Sequence, residues 1–320
     1  MPRLSTKTAV VWAALIVLPA FGLLLWVDKA VPQAGFWALL ALSISVGFVH
    51  GALDAVLLPQ RFASRVQAAL MFVAYLLIVA VLGWVLGSTT SLALWALLLM
   101  SAWHFGEPYG RWDRLPAWQT GLTRAVVGGA PVMLPVWLAG EQLTTVLVGV
   151  VPAGGLRGWD ALAWGWLVLL VIWLLAFWLQ AGGLARIRVL RYAWFELLGG
   201  VFLYALFSPL MAFALYFGLY HAPVHIWRVW RCWRGSSRAA LNGSTDGSTV
   251  WAMVAVVLTT MLSWLLGAGL WWFLASSGAA GPDWASALRW LIVAFAALTA
   301  PHLVLISLCA AFLTQPHLNR

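Results

Sequence analysis

Charge is what this sequence has least of. Asp, Glu, Lys and Arg make up 8% of its residues, against about a quarter in soluble globular domains, and that deficit excludes an ordinary water-soluble fold. Cysteine is as scarce. Cys232 and Cys309 are the two, one in an expected cytoplasmic segment and one in an apolar helix, so neither a disulfide framework nor a thiolate metal centre is implied. Acidic residues number 9 against 18 basic ones, and the pI near 10.4 would suggest nucleic acid if the Lys and Arg formed a patch. They are spread along short loops instead, with no basic run interleaved with stacking aromatics, so nucleic acid is excluded as a partner. Long hydrophilic stretches are also lacking. The main one, Arg234 to Ser248, is rich in Ser, Gly and Asn and reads as a cytoplasmic loop. A separate soluble domain is therefore not expected, and residues 1–320 form one helical unit.

Apolar residues are what remains: 64% of the chain is hydrophobic and its mean hydropathy is +0.94. A helix needs about 20 apolar residues to cross roughly 30 Å of hydrocarbon. Breaking the chain at charges, Gly and Pro predicts ten such stretches, at 8–27, 34–58, 66–86, 90–107, 121–139, 161–181, 192–207, 209–231, 250–275 and 285–313. Pro131 and Pro135 weaken the fifth, and Glu141 to Pro152 is expected at the outer surface. Met1 to Lys7 has the basic start of a signal peptide. The apolar run behind it is too long for one and lacks a small-residue cleavage site, so a retained first helix is expected.

Loop charge sets the orientation, because Lys and Arg accumulate on the cytoplasmic side. With the N-terminus inside, Arg3, Lys7, Arg61, Arg65, Arg111, Arg114, Arg124, Arg186, Arg188, Arg191, Arg228, Arg231, Arg234, Arg238 and Arg320 fall inside. Lys29, Arg157 and Arg289 fall outside. This asymmetry supports an all-α, polytopic membrane protein of about ten spans with both termini cytoplasmic.

An imidazole in hydrocarbon needs a partner, so buried histidines mark a site by default. His50, His104, His221, His225 and His302 lie on the second, fourth, eighth and tenth stretches. All of these run from outside to inside, and the histidines fall in their middle to cytoplasmic parts. His221 and His225 are one turn apart on one face, the spacing by which a helix offers two ligands to one metal, and Pro223 between them loosens the local hydrogen bonding. In a soluble protein two core histidines would explain such a pair as well; in hydrocarbon, ligation is favoured.

Single residues carry less. His50 is equally explained by a bond to a backbone carbonyl; Asp54, one turn later, either accepts from its second N–H or reaches the cytoplasmic interface. His104 can be an interfacial histidine. Glu196 either orients a ligand or pairs with Arg191. His302, after Pro301, reads as pocket lining or a structural bond, and His317 as solvated. Trp103, Tyr216, Phe217, Tyr220 and Trp227 either line a tunnel for a flat conjugated molecule or belong to the interfacial belts and helix packing that absorb most of the 24 Trp and 15 Phe.

Imidazole suits Fe, Cu, Zn and Ni. Four nitrogens around octahedral Fe(II) leave two positions open, enough for dioxygen, and an open site among apolar helices implies a lipophilic substrate.

His50-Gly-Ala-Leu-Asp54, Ser101-Ala-Trp-His104-Phe-Gly106, Tyr216-Phe217 ahead of His221-x-x-x-His225, and Thr299-Ala-Pro-His302 occur in the order and approximate spacing of the bacterioopsin-related family of membrane β-carotene 15,15′-dioxygenases. The chain resembles that family from about Gly47 to His302. The resemblance implies oxidative cleavage of the central double bond of β-carotene by O2 to two retinal molecules in the cell inner membrane, with Fe(II) held by His50, His104, His221 and His225. Asp54 and Glu196 are then outer partners of the ligands, and a retinal-binding rhodopsin is a functional neighbour. Two other classes compete: a transporter with histidine proton relays or a heme-binding electron carrier, and a di-iron desaturase or hydroxylase. Matched broken helices and mid-membrane acidic groups, expected of a transporter, are scarce, and a di-iron site normally takes more histidine clusters than one His-x-x-x-His.

Overall fold

The computed structural model describes residues 19–31, 33–54, 65–107, 115–152, 154–179, 184–230, 253–254, 256–265 and 284–313. Residues 1–18, the 234–248 loop, Cys232 and His317 lie outside them, as does the side chain of Cys309. Among the described residues all regular structure is helical and no strand occurs.

Each of the ten apolar stretches carries helix. We number the helices α1 (19–30), α2 (Ala34–Leu42), α3 (Phe48–Ala52), α4 (Arg65–Ser88), α5 (Thr90–Phe105), α6 (Ala117–Val148), α7 (Trp159–Leu179), α8 (Leu184–Leu206), α9 (Pro209–Leu215), α10 (222–230), α11 (Val256–Leu265) and α12 (Trp284–Leu313). Five are long and apolar enough to cross a membrane: Ala34–Ala52 (α2 and α3 taken together), Ala69–Ser88, Ala117–Val148, Trp159–Trp178 and Trp284–Ser307. Their outward faces are apolar too. Leu77, Trp84 and Trp178 are 61%, 81% and 83% exposed, an arrangement that water penalises and lipid does not.

The bundle is assembled around α5, α6 and α12. Helix α12 packs on α4 and α5, α5 on α6, and α6 on α7 and α8, while α2 packs on α9. Gly106 and Gly128 let α5 and α6 approach to backbone contact: a Cβ on Gly128 would collide with the Ala102 carbonyl and the Gly106 backbone, and one on Gly106 with the Arg124 carbonyl. Small residues at such crossings are the usual membrane solution, because lipid supplies no hydrophobic drive between helices and close packing replaces it.

Residues Glu141 to Val148, part of the segment expected at the outer surface, are helical and are set off from the first part of α6 by a kink at Ala139, whose backbone is not helical (φ −146°, ψ 31°). The two prolines do not end the helix, and the reason is local. Pro135 lacks the N–H that the Pro131 carbonyl would accept, and the Tyr204 hydroxyl donates to that carbonyl instead (2.7 Å). A freed backbone group in an apolar bundle is tolerated when a neighbouring helix satisfies it.

Two π-helical turns interrupt otherwise regular spans, Ser43–Gly47 between α2 and α3 and Tyr216–His221 between α9 and α10. Ser43 Oγ and Ser45 Oγ donate back to the Leu39 and Ala41 carbonyls, a habit that bends helices. Pro223 removes the donor that the Leu219 carbonyl would take. The two turns also face each other: an added Cβ at Gly47 would lie 3.1 Å from Phe217, and one at Gly218 would lie 2.7 Å from Leu42. Single π turns within α-helices concentrate at functional sites, and here each leads directly to a histidine.

Candidate metal centre

His50 on α3, His104 on α5, His225 on α10 and His302 on α12 are all buried, and each offers a ring nitrogen within 4.8 Å of the others. The rings of His50 and His225 are 4.2 Å apart between centroids, and His302 lies 5.0 Å from both His50 and His104. Residues separated by up to 252 positions thus meet. His221 borders the group rather than joining the mutually close set. Its ring is 4.9 Å from His104 and 4.6 Å from Phe105, stacking at 6.3 Å on His225 one turn on.

The donor atoms are poised for an ion. Both ring nitrogens of His104, Nδ1 of His50 and Nε2 of His302 are buried without a hydrogen-bond partner. Leaving a polar atom unmade in this way costs about 1–3 kcal/mol apiece. Nitrogens held about 2.1 Å from one ion are at most about 4.2 Å apart, so the widest pair in the group has only to close by roughly half an ångström. The donor set therefore fits a metal that imidazole favours.

The sequence offers Asp54 either His50 or the cytoplasmic interface, but the carboxylate reaches His302. Nδ1 of His302 lies 2.8 and 2.9 Å from the two oxygens of Asp54, and the Tyr75 hydroxyl donates to Oδ2 at 2.8 Å. Asp54 is 2% exposed, so this arrangement is an internal one rather than a side chain seeking the interface. Tyr75 escaped the sequence reading; the signal available was a phenol, one of six Tyr, in the middle of an otherwise apolar span. Glu196 accepts from the Tyr220 hydroxyl at 2.8 Å. It lines a small polar niche with Glu107, Tyr216, His221 and Arg228 on another side of the imidazoles.

An apolar cavity of about 160 Å3 opens against the group, walled by Phe48, Phe72, Phe213, Phe217 and Phe295, with His50, His104 and His302 at its floor. Of the residues expected to line a tunnel, Phe217 and His302 border this cavity. Tyr216 and Tyr220 line the polar niche instead. Trp103 stands 53% exposed with the Arg124 guanidinium 3.6 Å over its ring, and Trp227 is 61% exposed; neither borders this cavity. Arg124 also pairs with Glu107 and donates to the Trp103 carbonyl at 3.1 Å, which ties the His104 end of α5 to α6.

A sequence model of the family described as beta-carotene 15,15'-dioxygenase matches residues 41–310. A curated protein, "Beta-carotene 15,15'-dioxygenase" of uncultured marine bacterium 66A03, is 28% identical over 289 residues, covering 89% of this chain and 96% of the relative. No solved structure matches.

Proposed function

We propose that this chain, which belongs to the beta-carotene 15,15'-dioxygenase family and so to the carotenoid-cleaving dioxygenases, splits the central double bond of β-carotene with O2. One C=C and one O=O bond break, two C=O bonds form, and two retinal molecules result with all atoms and electrons accounted for. The observation that carries this reading is the group of four buried imidazoles, three of which line an apolar, aromatic-walled cavity. That pairing suits a metal used on a lipophilic substrate.

His50, His104 and His225 belong both to the ligand set that the resemblance implies and to the mutually close group. The fourth nitrogen is His221 by resemblance and His302 by proximity. Fe(II) held there supplies the activation of dioxygen. The protein does the rest. Phe213, Phe217 and Phe295 hold a flat polyene by face and edge contacts, and the apolar wall keeps water away. Asp54 accepts from Nδ1 of His302, which leaves Nε2 as the lone-pair nitrogen turned toward the other imidazoles; such outer partners set ring tautomer and orientation.

The ten-span arrangement in the inner membrane, with both ends cytoplasmic, belongs to the same proposal. It is supported by the meeting of ends assigned to the outer side. Arg289, at the start of α12, donates to the Gly87 carbonyl at the end of α4 (3.2 Å), and Trp95 reaches the Gly155 carbonyl in the loop before α7 (3.0 Å). A carotenoid dissolved in lipid then reaches the cavity sideways without crossing water.

Expression in carotene-accumulating cells tests the activity directly. Pigment should bleach while retinal appears in extracts; persistent colour without retinal, with iron-loaded protein present, would sink the reading. Asp54→Asn should weaken iron binding about 10- to 100-fold, read by chelator competition on purified protein. An unchanged affinity would show that Asp54 only fills space beside His302.

A further inference from the structure

Beside the cavity at the imidazoles lies another of about 110 Å3, lined from α2, α5, α6, α7, α8, α9 and α12. Apart from the hydroxyls of Ser101 and Tyr204 and the indole N–H of Trp159 its walls are apolar, and the Tyr204 hydroxyl is already committed to the Pro131 carbonyl. None of its described lining residues is exposed. The first cavity, by contrast, is bordered by Leu76, Leu262 and Leu298, which are 40%, 43% and 37% exposed. Leu97, Ser101, Phe213 and Phe295 line both, so the two chambers share one layer of side chains, and the second is the one bordered by no exposed residue among those described.

The lengths are informative. Helix α5 carries His104 at the first chamber and Leu94 at the second, and α12 carries His302 at the first and Ile292 at the second. Each pair is ten residues apart, about 15 Å at 1.5 Å per residue. A C40 carotenoid is about as long as the hydrocarbon core is thick, roughly 30 Å, so half of it is about 15 Å.

Given the carotenoid reading above, on which this rests, we propose that the second chamber seats the distal half of the substrate. The polyene passes between Leu97, Ser101, Phe213 and Phe295, its far ring stops against Leu94 and Ile292, and the near half stays in the first chamber. The central bond is then left beside the imidazoles. Leu94 and Ile292, both buried, measure length because a polyene that stops short of them forfeits dispersion contacts, and one that runs past them meets close-packed side chains. Leu94 and Ile292 are on this account the specificity-determining residues for cleavage at the centre.

Leu94→Trp and Ile292→Phe, on separate helices, shorten the chamber from two sides. Purified full-length protein is assayed with β-carotene and with a C30 apocarotenal that keeps one ring and lacks the other. The ratio of kcat/KM for the C40 over the C30 substrate should fall about tenfold to a hundredfold, the range that overpacking imposes. Metal-free protein isolated from carotene-accumulating cells should likewise retain less C40 pigment in either variant than in the wild type. An unchanged ratio in both variants, or a parallel loss of both substrates with pigment retention intact, overturns the length-measuring role while leaving the carotenoid reading standing. A wild-type chain that neither retains nor cleaves any polyene overturns both.

Discussion

Replacing His104 by alanine should abolish iron binding and carotene cleavage together while leaving the metal-free protein about as stable as before. Both ring nitrogens of His104 are buried and unbonded, so the side chain carries a desolvation cost that alanine removes, about 1–3 kcal/mol. The cavity left by the ring costs a similar amount, and the two nearly offset. A histidine that served the fold would behave oppositely, because its loss would strand a bonded partner. The measurement is thermal unfolding with and without added Fe(II), beside metal content per chain. Wild-type protein should gain stability with ion concentration as linkage requires, and His104→Ala should gain none. Undiminished iron in that variant would remove His104 from the ligand set. The same assay on His221→Ala and His302→Ala assigns the fourth nitrogen, since the variant of a true ligand loses metal and the other retains it.

Gly128→Ala should be the most damaging single methyl in α6. Its Cβ would meet the backbone of Ala102 and Gly106, neither of which can swing aside as a side chain tip would. Relief requires α5 to move away, and α5 carries His104. A loss of about 1–3 kcal/mol or more is expected, the scale of overpacking in a tight core, accompanied by weakened iron binding. Gly121→Ala on the same helix is the control. Nothing lies within 4 Å of its added methyl, and Ala is the better helix former by roughly 1 kcal/mol, so it should leave stability equal or improved. Thermal unfolding in detergent compares the two; equal effects would show that the α5–α6 crossing yields more easily than its geometry suggests.

The helices were legible because their signal is local. Each of the ten apolar stretches is long enough to be read from its own residues, and helix lies at every one of them. Where the reading fell short, the deciding contact was distant. Pro131 and Pro135 advertise a break at themselves, yet the helix runs through both and kinks only at Ala139, and Tyr204, on α8, satisfies the carbonyl that Pro135 orphans. Asp54 sits one turn after His50 and invites that pairing, but the rotation of α3 turns it to His302, 248 positions away. Trp103 stands next to His104 in sequence and, by the same helical rotation, faces outward beneath Arg124.

Composition and hydropathy alone thus determined that this is a helical protein with apolar spans, and the ordered histidine motifs determined the family resemblance. Both are properties of residues and their neighbours along the chain. Which imidazoles share a centre, what holds His302, and where the two chambers lie were decided only by tertiary packing. Helix rotation and close approach at glycines such as Gly106 and Gly128 depend on side chains from other spans, whose positions no local pattern encodes.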